Sequence, residues 1–119
     1  MSDILYRNQI ERELTLAQQA RGQGLEGKAR VCARRAVGIA LRRYFSIHQP
    51  QLAALSVIDL IQAFQSQAGL PLNIQQICAH LLTRVDADYN LPVAADLLAE
   101  ARILIDFILE DNYRHDGNT

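Results

Sequence analysis

Arg43 and His48 stand in "RRYFSIHQP" (Arg42 to Pro50) with four residues between them. A guanidinium beside an imidazole suits metal-independent cleavage of RNA. A histidine titrating near neutrality can take the proton from an attacking 2′-hydroxyl, and an arginine can steady the charge on a phosphorane. The spacing is expected to bring both side chains to one face of a helix. Arg42 offers a similar spacing to the same histidine. The plainer reading makes His48 a cation at the carbonyl end of a helix, where the helix dipole favours it.

A second pattern involves charge alone. Lys28, Arg35 and Arg42 recur every seven residues, with Arg34 beside them. On a helix such residues fall nearly in line, and a row of guanidiniums can grip phosphates bidentately. The competing reading pairs this row with acids of the last helix, Asp96, Glu100 and Asp106. Of twelve basic residues, six lie between Lys28 and Arg43, and no acid lies between Glu26 and Asp59. Eight of the thirteen acids fall from Asp86 onward. Net charge is −1, so any field is local rather than global.

A third cluster, "TRVDADYN" (Thr83 to Asn90), gathers Arg84, Asp86, Asp88, Tyr89 and Asn90 in a polar connection. Asp86 and Asp88 could face a hard cation, but two carboxylates make a weak site. A turn whose Asp and Asn side chains cap the next helix accounts for them as well. Cys78 and His80 are two positions apart and point to different faces of a helix, so no metal site is expected. No zinc spacing, glycine-rich phosphate loop or supported Ser/His/Asp set occurs, and no cofactor is expected.

These residues need elements to hold them. Half of the residues are hydrophobic but only 6% are aromatic, so the core must be built from Leu, Ile, Val and Ala. Scarce glycine and proline favour helices. Tyr6, Ile10, Leu14 and Ala17 mark one stripe, predicting a helix from about Asp3 to Arg21. "RGQGLEG" predicts a turn. Ala29, Ala33, Ala36, Ala40 and Tyr44, broadened by Val31, Cys32, Val37, Ile39 and Leu41, predict a second helix from about Glu26 to Ile47 that Pro50 stops. Ser56 with Asp59 resembles a capping box ahead of Val57, Ile61 and Phe64. Gly69 and Pro71 close that helix, and Asn73 is expected to cap the next, with stripe Ile74, Ile77 and Leu81. The last helix is expected to start near Pro92 and to carry Ala94, Leu97, Ala101, Leu104 and Ile108 inward. Residues 110–119 read as a flexible tail. The expectation is a single all-α domain over residues 1–119, an antiparallel up-and-down bundle of four to five helices. No apolar run reaches the ~20 residues of a membrane span. The charged N-terminus lacks a signal peptide's apolar core, and the two cysteines read as buried thiols, so a cytoplasmic location is expected.

"GLEGKARVCARRAVGIALRRYF" and "LLTRVDADYNLPVAADLLAEARILIDFIL" together resemble the HEPN superfamily (higher eukaryotes and prokaryotes nucleotide-binding domain). The first is similar to its alanine-rich, arginine-bearing second helix. The second is similar to the segment that leads into and forms its last helix. The resemblance implies a bundle that is often dimeric. It implies either a metal-independent ribonuclease of toxin–antitoxin or defence type, or a non-catalytic module binding RNA, nucleotide or a cognate protein such as a nucleotidyltransferase-like partner. Catalytic relatives carry an arginine followed four to six residues later by histidine, near the start of a later helix. Here that location reads Arg84-Val-Asp-Ala-Asp-Tyr89, with tyrosine in place of histidine. Arg84 and Tyr89 are the positional counterparts of the motif. The expectation is therefore a non-catalytic homodimeric binding domain, with Lys28, Arg34, Arg35, Arg42, Arg84 and Tyr89 as contacts. The alternative is a ribonuclease using Arg43 and His48.

Overall fold

The computed structural model of the chain describes residues 3–83 and 96–117. Among the described residues the chain is all-helical: α1 (Asp3–Gly22), α2 (Glu26–His48), a 3-10 turn (Pro50–Leu52), α3 (Val57–Gln65), α4 (Leu72–Leu82) and α5 (Leu97–Gly117), with no strand. None of these helices is long and apolar enough to cross a membrane.

The apolar stripe of α1 is buried as its period requires, with Ala20 added to Tyr6, Ile10, Leu14 and Ala17. The helix stops at a Schellman turn. Gly24 takes φ +77°, a conformation that costs other residues more. The Leu25 amide then reaches back to the Ala20 carbonyl at 2.8 Å, and that of Gly24 to Arg21 at 3.0 Å. The chain turns directly into α2, which packs against α1, α3 and α5 and so forms the centre of the fold. Its inward residues are mostly small (Ala29, Cys32, Ala33, Ala36, Ala40), which lets neighbouring backbones approach closely. Larger side chains fill its far half. Tyr44 meets Phe45 and Phe64 edge-on, with ring centroids 5.2 and 5.4 Å away. Val31, expected to broaden the stripe, is instead 45% exposed.

After His48 the Gln49 amide caps α2 on the Phe45 carbonyl at 2.8 Å, and Pro50 opens the 3-10 turn. The link that follows doubles back along α2. Arg42 holds it by donating to the Ala53 and Leu55 carbonyls at 3.0 and 2.9 Å. Gly38 receives it: a Cβ there would lie 2.6 Å from Cγ2 of Val57. Ser56 caps α3 as its sequence indicates, its hydroxyl oxygen accepting from the Asp59 amide at 3.2 Å. Gly69, at φ +83°, lets the chain leave the α3 region.

Two boundaries differ from expectation. Pro71, not Asn73, stands at the N-cap of α4, which begins at Leu72. Proline's fixed φ already suits a helix start, and Asn73 lies within the first turn. The described part of α5 begins at Leu97, where Asp96 accepts from the Leu98 and Ala99 amides at 3.2 Å each. Pro92 and Ala94 lie outside the described residues. The helix also runs on to Gly117, through most of the segment read as a tail. Leu97, Leu98, Ala101, Leu104, Ile105 and Ile108 face the core. Each of the leucines and isoleucines contributes roughly 1.5–3 kcal/mol by leaving water, and Ala101 less.

Ion pairs fix the rims. Arg21 reaches both Glu26 and Asp96 at 2.9 Å. Arg102 of α5 grips Glu11 of α1 at 2.6 and 2.7 Å. Rising positions on α1 (11, then 21) thus meet falling positions at the other end of the chain (102 on α5, then 96 just before it).

Candidate nucleic-acid interface

Because α2 is continuous from Glu26 to His48, it fixes the direction of every basic side chain it carries. Lys28, Arg35 and Arg42 are all exposed. Seven residues are nearly two full turns, so the three share one solvent side and span about 21 Å. Among the described residues, neither Lys28 nor Arg35 pairs with an acid. The expected match to the last helix is not what forms: Asp96 is held by Arg21, and Glu100 by His80 Nδ1 at 2.7 Å. Asp106 lends its charge to Arg102. The reason is position: Asp96, Glu100 and Asp106 meet partners on α1, α4 and α5 itself rather than on the outer side of α2.

Arg34 behaves differently from its neighbour Arg35. One residue turns the helix by about 100°. That rotation carries Arg34 to a half-buried place where Nε donates to the Leu81 carbonyl at 2.9 Å and an Nη to that of Thr83 at 3.4 Å. It closes the carbonyl end of α4. Burial, with help from the charge of Arg30, lowers its pKa from the usual guanidinium range. Arg34 is thus a tie between α2 and α4.

Arg43 and His48 do not share a face. An arginine and a histidine with four residues between them are five positions apart, about 140° around an unbroken helix. Arg43 turns toward α1, its Cζ 5.2 Å from the centroid of the Tyr6 ring. His48 lies back along α2 against Tyr44, ring centroids 4.5 Å apart. Arg42 also diverges from His48, by about 120°. Arg84 and Tyr89, with Asp86 and Asp88, lie outside the described residues.

The structure brings together residues that sequence reasoning did not join. Between α1 and α2 a cleft of about 230 Å³ is lined by Tyr6, Gln9, Ile39, Arg42, Arg43 and Ser46. Gln9 stands on the outer side of α1, next to the stripe that Tyr6 opens. Ser46 lies three and four positions beyond the two arginines, and its hydroxyl donates to the Arg43 carbonyl at 2.7 Å. That spacing was legible. The pairing with Tyr6 and Gln9 depends on how α1 packs and was not. Arg42 sits where the cleft meets the basic row, and the bonds to Ala53 and Leu55 fix its guanidinium plane.

Among the described residues no group of three His, Cys, Asp or Glu side chains could hold a metal ion. Cys32 and Cys78 are buried and unpaired with each other, and burial pushes the Cys78 thiol up to about 11. Comparison of the chain with protein-family models, curated proteins and solved structures finds no match.

Proposed function

We propose that this chain is a small HEPN-like domain, an antiparallel helical bundle that acts as a cytoplasmic homodimer and binds RNA without cutting it. The observation that supports this reading is the row of exposed cations on α2. Lys28, Arg35 and Arg42 stand in line, with no acid in the sequence from there to Asp59 to neutralise them. Arg42 is held ready by two backbone carbonyls, so it loses little freedom on meeting a phosphate. A row of side chains that can reach phosphates but present no base-reading pattern predicts affinity without strong sequence preference. The divergence of Arg43 and His48 around α2 favours binding over cleavage.

Fluorescence anisotropy with single-stranded RNA tests this. Three neutralised phosphates predict a slope of about −2 in log K against log salt. Arg35→Glu should weaken binding by at least about tenfold, since a charged contact is replaced by repulsion. Unchanged binding in that variant, or RNA cleavage in excess chelator that disappears in His48→Ala, would overturn the reading. Light scattering over a concentration series tests the dimer, which a constant monomeric mass would remove.

A further inference from the structure

We infer that the outer groove between α1 and α2 docks an acidic amphipathic helix of a partner protein, one of whose apolar side chains fills the cleft while its carboxylates meet Lys28, Arg35 and Arg42. Docking of this kind stands without the RNA-binding reading above, and the two compete for the same cations.

The cleft itself takes an apolar group. Its donors are largely committed: the Ser46 hydroxyl bonds the Arg43 carbonyl, and Arg42 donates through Nε and one Nη to Ala53 and Leu55. The Arg43 guanidinium lies over the Tyr6 ring. The surface left around Ile39 is mostly apolar. At about 230 Å³ the cleft falls below the roughly 300–1,000 Å³ of sites that enclose whole drug-sized ligands, so it suits one side chain.

Apolar surface continues along both helices. Gln9 lines the cleft, and on the same side of α1 stand Leu5, one turn before it, and Leu16, two turns beyond, 48% and 37% exposed. On α2, Val31, Arg35, Ile39 and Arg42 fall within about 80° of one another, and Val31 is 45% exposed. A row of phosphates would neutralise the cations and leave these leucines and the valine wet. An apolar stripe flanked by carboxylates covers both. Among the described residues there is no strand, hence no sheet edge for an extended peptide to join. Two packed helices instead leave a groove that a third helix fills with side chains at i, i+3 or i+4, and i+7. From Lys28 to Arg42 the row is about 21 Å long, the length of about fourteen helical residues.

Charge chooses the occupant. Of the acids on α1 near this face, Glu11 is held by Arg102 on the α5 side, and Glu13 is half-buried with its Oε2 sealed from water. A second copy presenting the same face would set three cations against three cations with no carboxylate between them. An acidic helix meets no such repulsion.

The test is anisotropy of the full chain with a labelled helical peptide of about eighteen residues, leucine on one stripe and glutamate on either side. Binding should weaken at least about tenfold when lysine replaces the glutamates, and about tenfold when the central leucine becomes alanine. Arg35→Glu and Ile39→Ala on α2 should each weaken it about tenfold. Circular dichroism melts establish that both variants are folded. Equal binding of the lysine peptide, wild-type affinity in both variants, or no binding at about 1 mM acidic peptide overturns the inference. RNA binding without peptide binding keeps the earlier reading and removes this one, and peptide binding without RNA binding does the reverse. Self-association that Arg35→Glu abolishes would seat a second copy in the groove and overturn it as well.

Discussion

Gly38→Ala sets two well-measured effects against each other, and the structure says which wins. In a helix interior alanine is better than glycine by about 1 kcal/mol, so propensity alone predicts a more stable protein. The new Cβ, however, would stand 2.6 Å from Cγ2 of Val57, with Cγ1 at 3.4 Å and Cβ at 3.5 Å. Carbon atoms pack at about 3.5–4.0 Å, so the deficit is close to 1 Å. Valine has little freedom at χ1 to relieve it. The backbone behind Val57 is held as well, by Arg42 on the Ala53 and Leu55 carbonyls and by the Ser56 cap on Asp59. Overpacking of this kind costs roughly 1–3 kcal/mol. The net expectation is a loss of about 1 kcal/mol, or about 3–5 °C in melting temperature. Urea denaturation followed by circular dichroism measures it, in both the wild-type and Val57→Ala backgrounds. With the methyl groups of Val57 gone, Gly38→Ala should stabilise by about 0.5–1 kcal/mol. The sign reversal is the signature of the contact, a coupling of about 2 kcal/mol. Stabilisation in both backgrounds would refute the claim that the link is seated in a notch at Gly38.

Adjacent arginines should separate cleanly. Arg34→Met removes the donors that close α4 and should cost about 1–2 kcal/mol of stability with RNA affinity within twofold of wild type, whereas Arg35→Glu should lose affinity with stability changed by less than about 0.5 kcal/mol. Acid should loosen the rims. Arg102 lowers the pKa of Glu11, and Arg21 that of Glu26. For Asp96 burial acts upward, but Arg21 and the Ala99 and Leu98 amides outweigh it. Depressed carboxyl pKa values give stability that is present above the ordinary range near pH 4 and is lost as pH falls through the folded-state values. These pairs are partly exposed, so each contributes at most about 1 kcal/mol, and Arg21→Gln should flatten the loss below pH 4 in denaturation curves by about that amount. Both cysteines are buried, so Ellman's reagent should label them slowly until urea unfolds the chain; rapid native labelling would contradict their placement.

Local signals carried much of the fold. The stripe of α1, the glycine turn, the alanine-rich α2 stopped by Pro50 and the Ser56 cap each depend on residues within one or two turns of one another. Such patterns can be read before any packing is known. The start of α4 escaped because Pro71 reads in the sequence as the end of α3, yet it stands directly before Leu72 and opens α4 two residues ahead of Asn73. The cleft escaped for a different reason. Tyr6 and Gln9 join Arg43 and Ser46 only after α1 folds against α2, and nothing in either helix alone announces it. The acids of α5 show the same limit. Their number suggested a match for the arginines of α2, but helix orientation gave Asp96 to Arg21 and Glu100 to His80.

Spacing along a helix is also a statement about rotation, and the basic residues of α2 turn on it. A seven-residue repeat returns to within about 20° of its start, so Lys28, Arg35 and Arg42 stay on one side whatever else the helix does. A shift of one residue is enough to take Arg34 off that side and onto the carbonyl end of α4. A shift of five carries Arg43 toward Tyr6 and His48 toward Tyr44. For those two side chains to act on one phosphate, α2 would have to break between them, yet it runs unbroken to His48, and the Gln49 amide closes it on the Phe45 carbonyl. Within one chain the arginine-to-histidine spacing therefore works against joint chemistry, while the arginine-to-arginine spacing supports a continuous surface for phosphate.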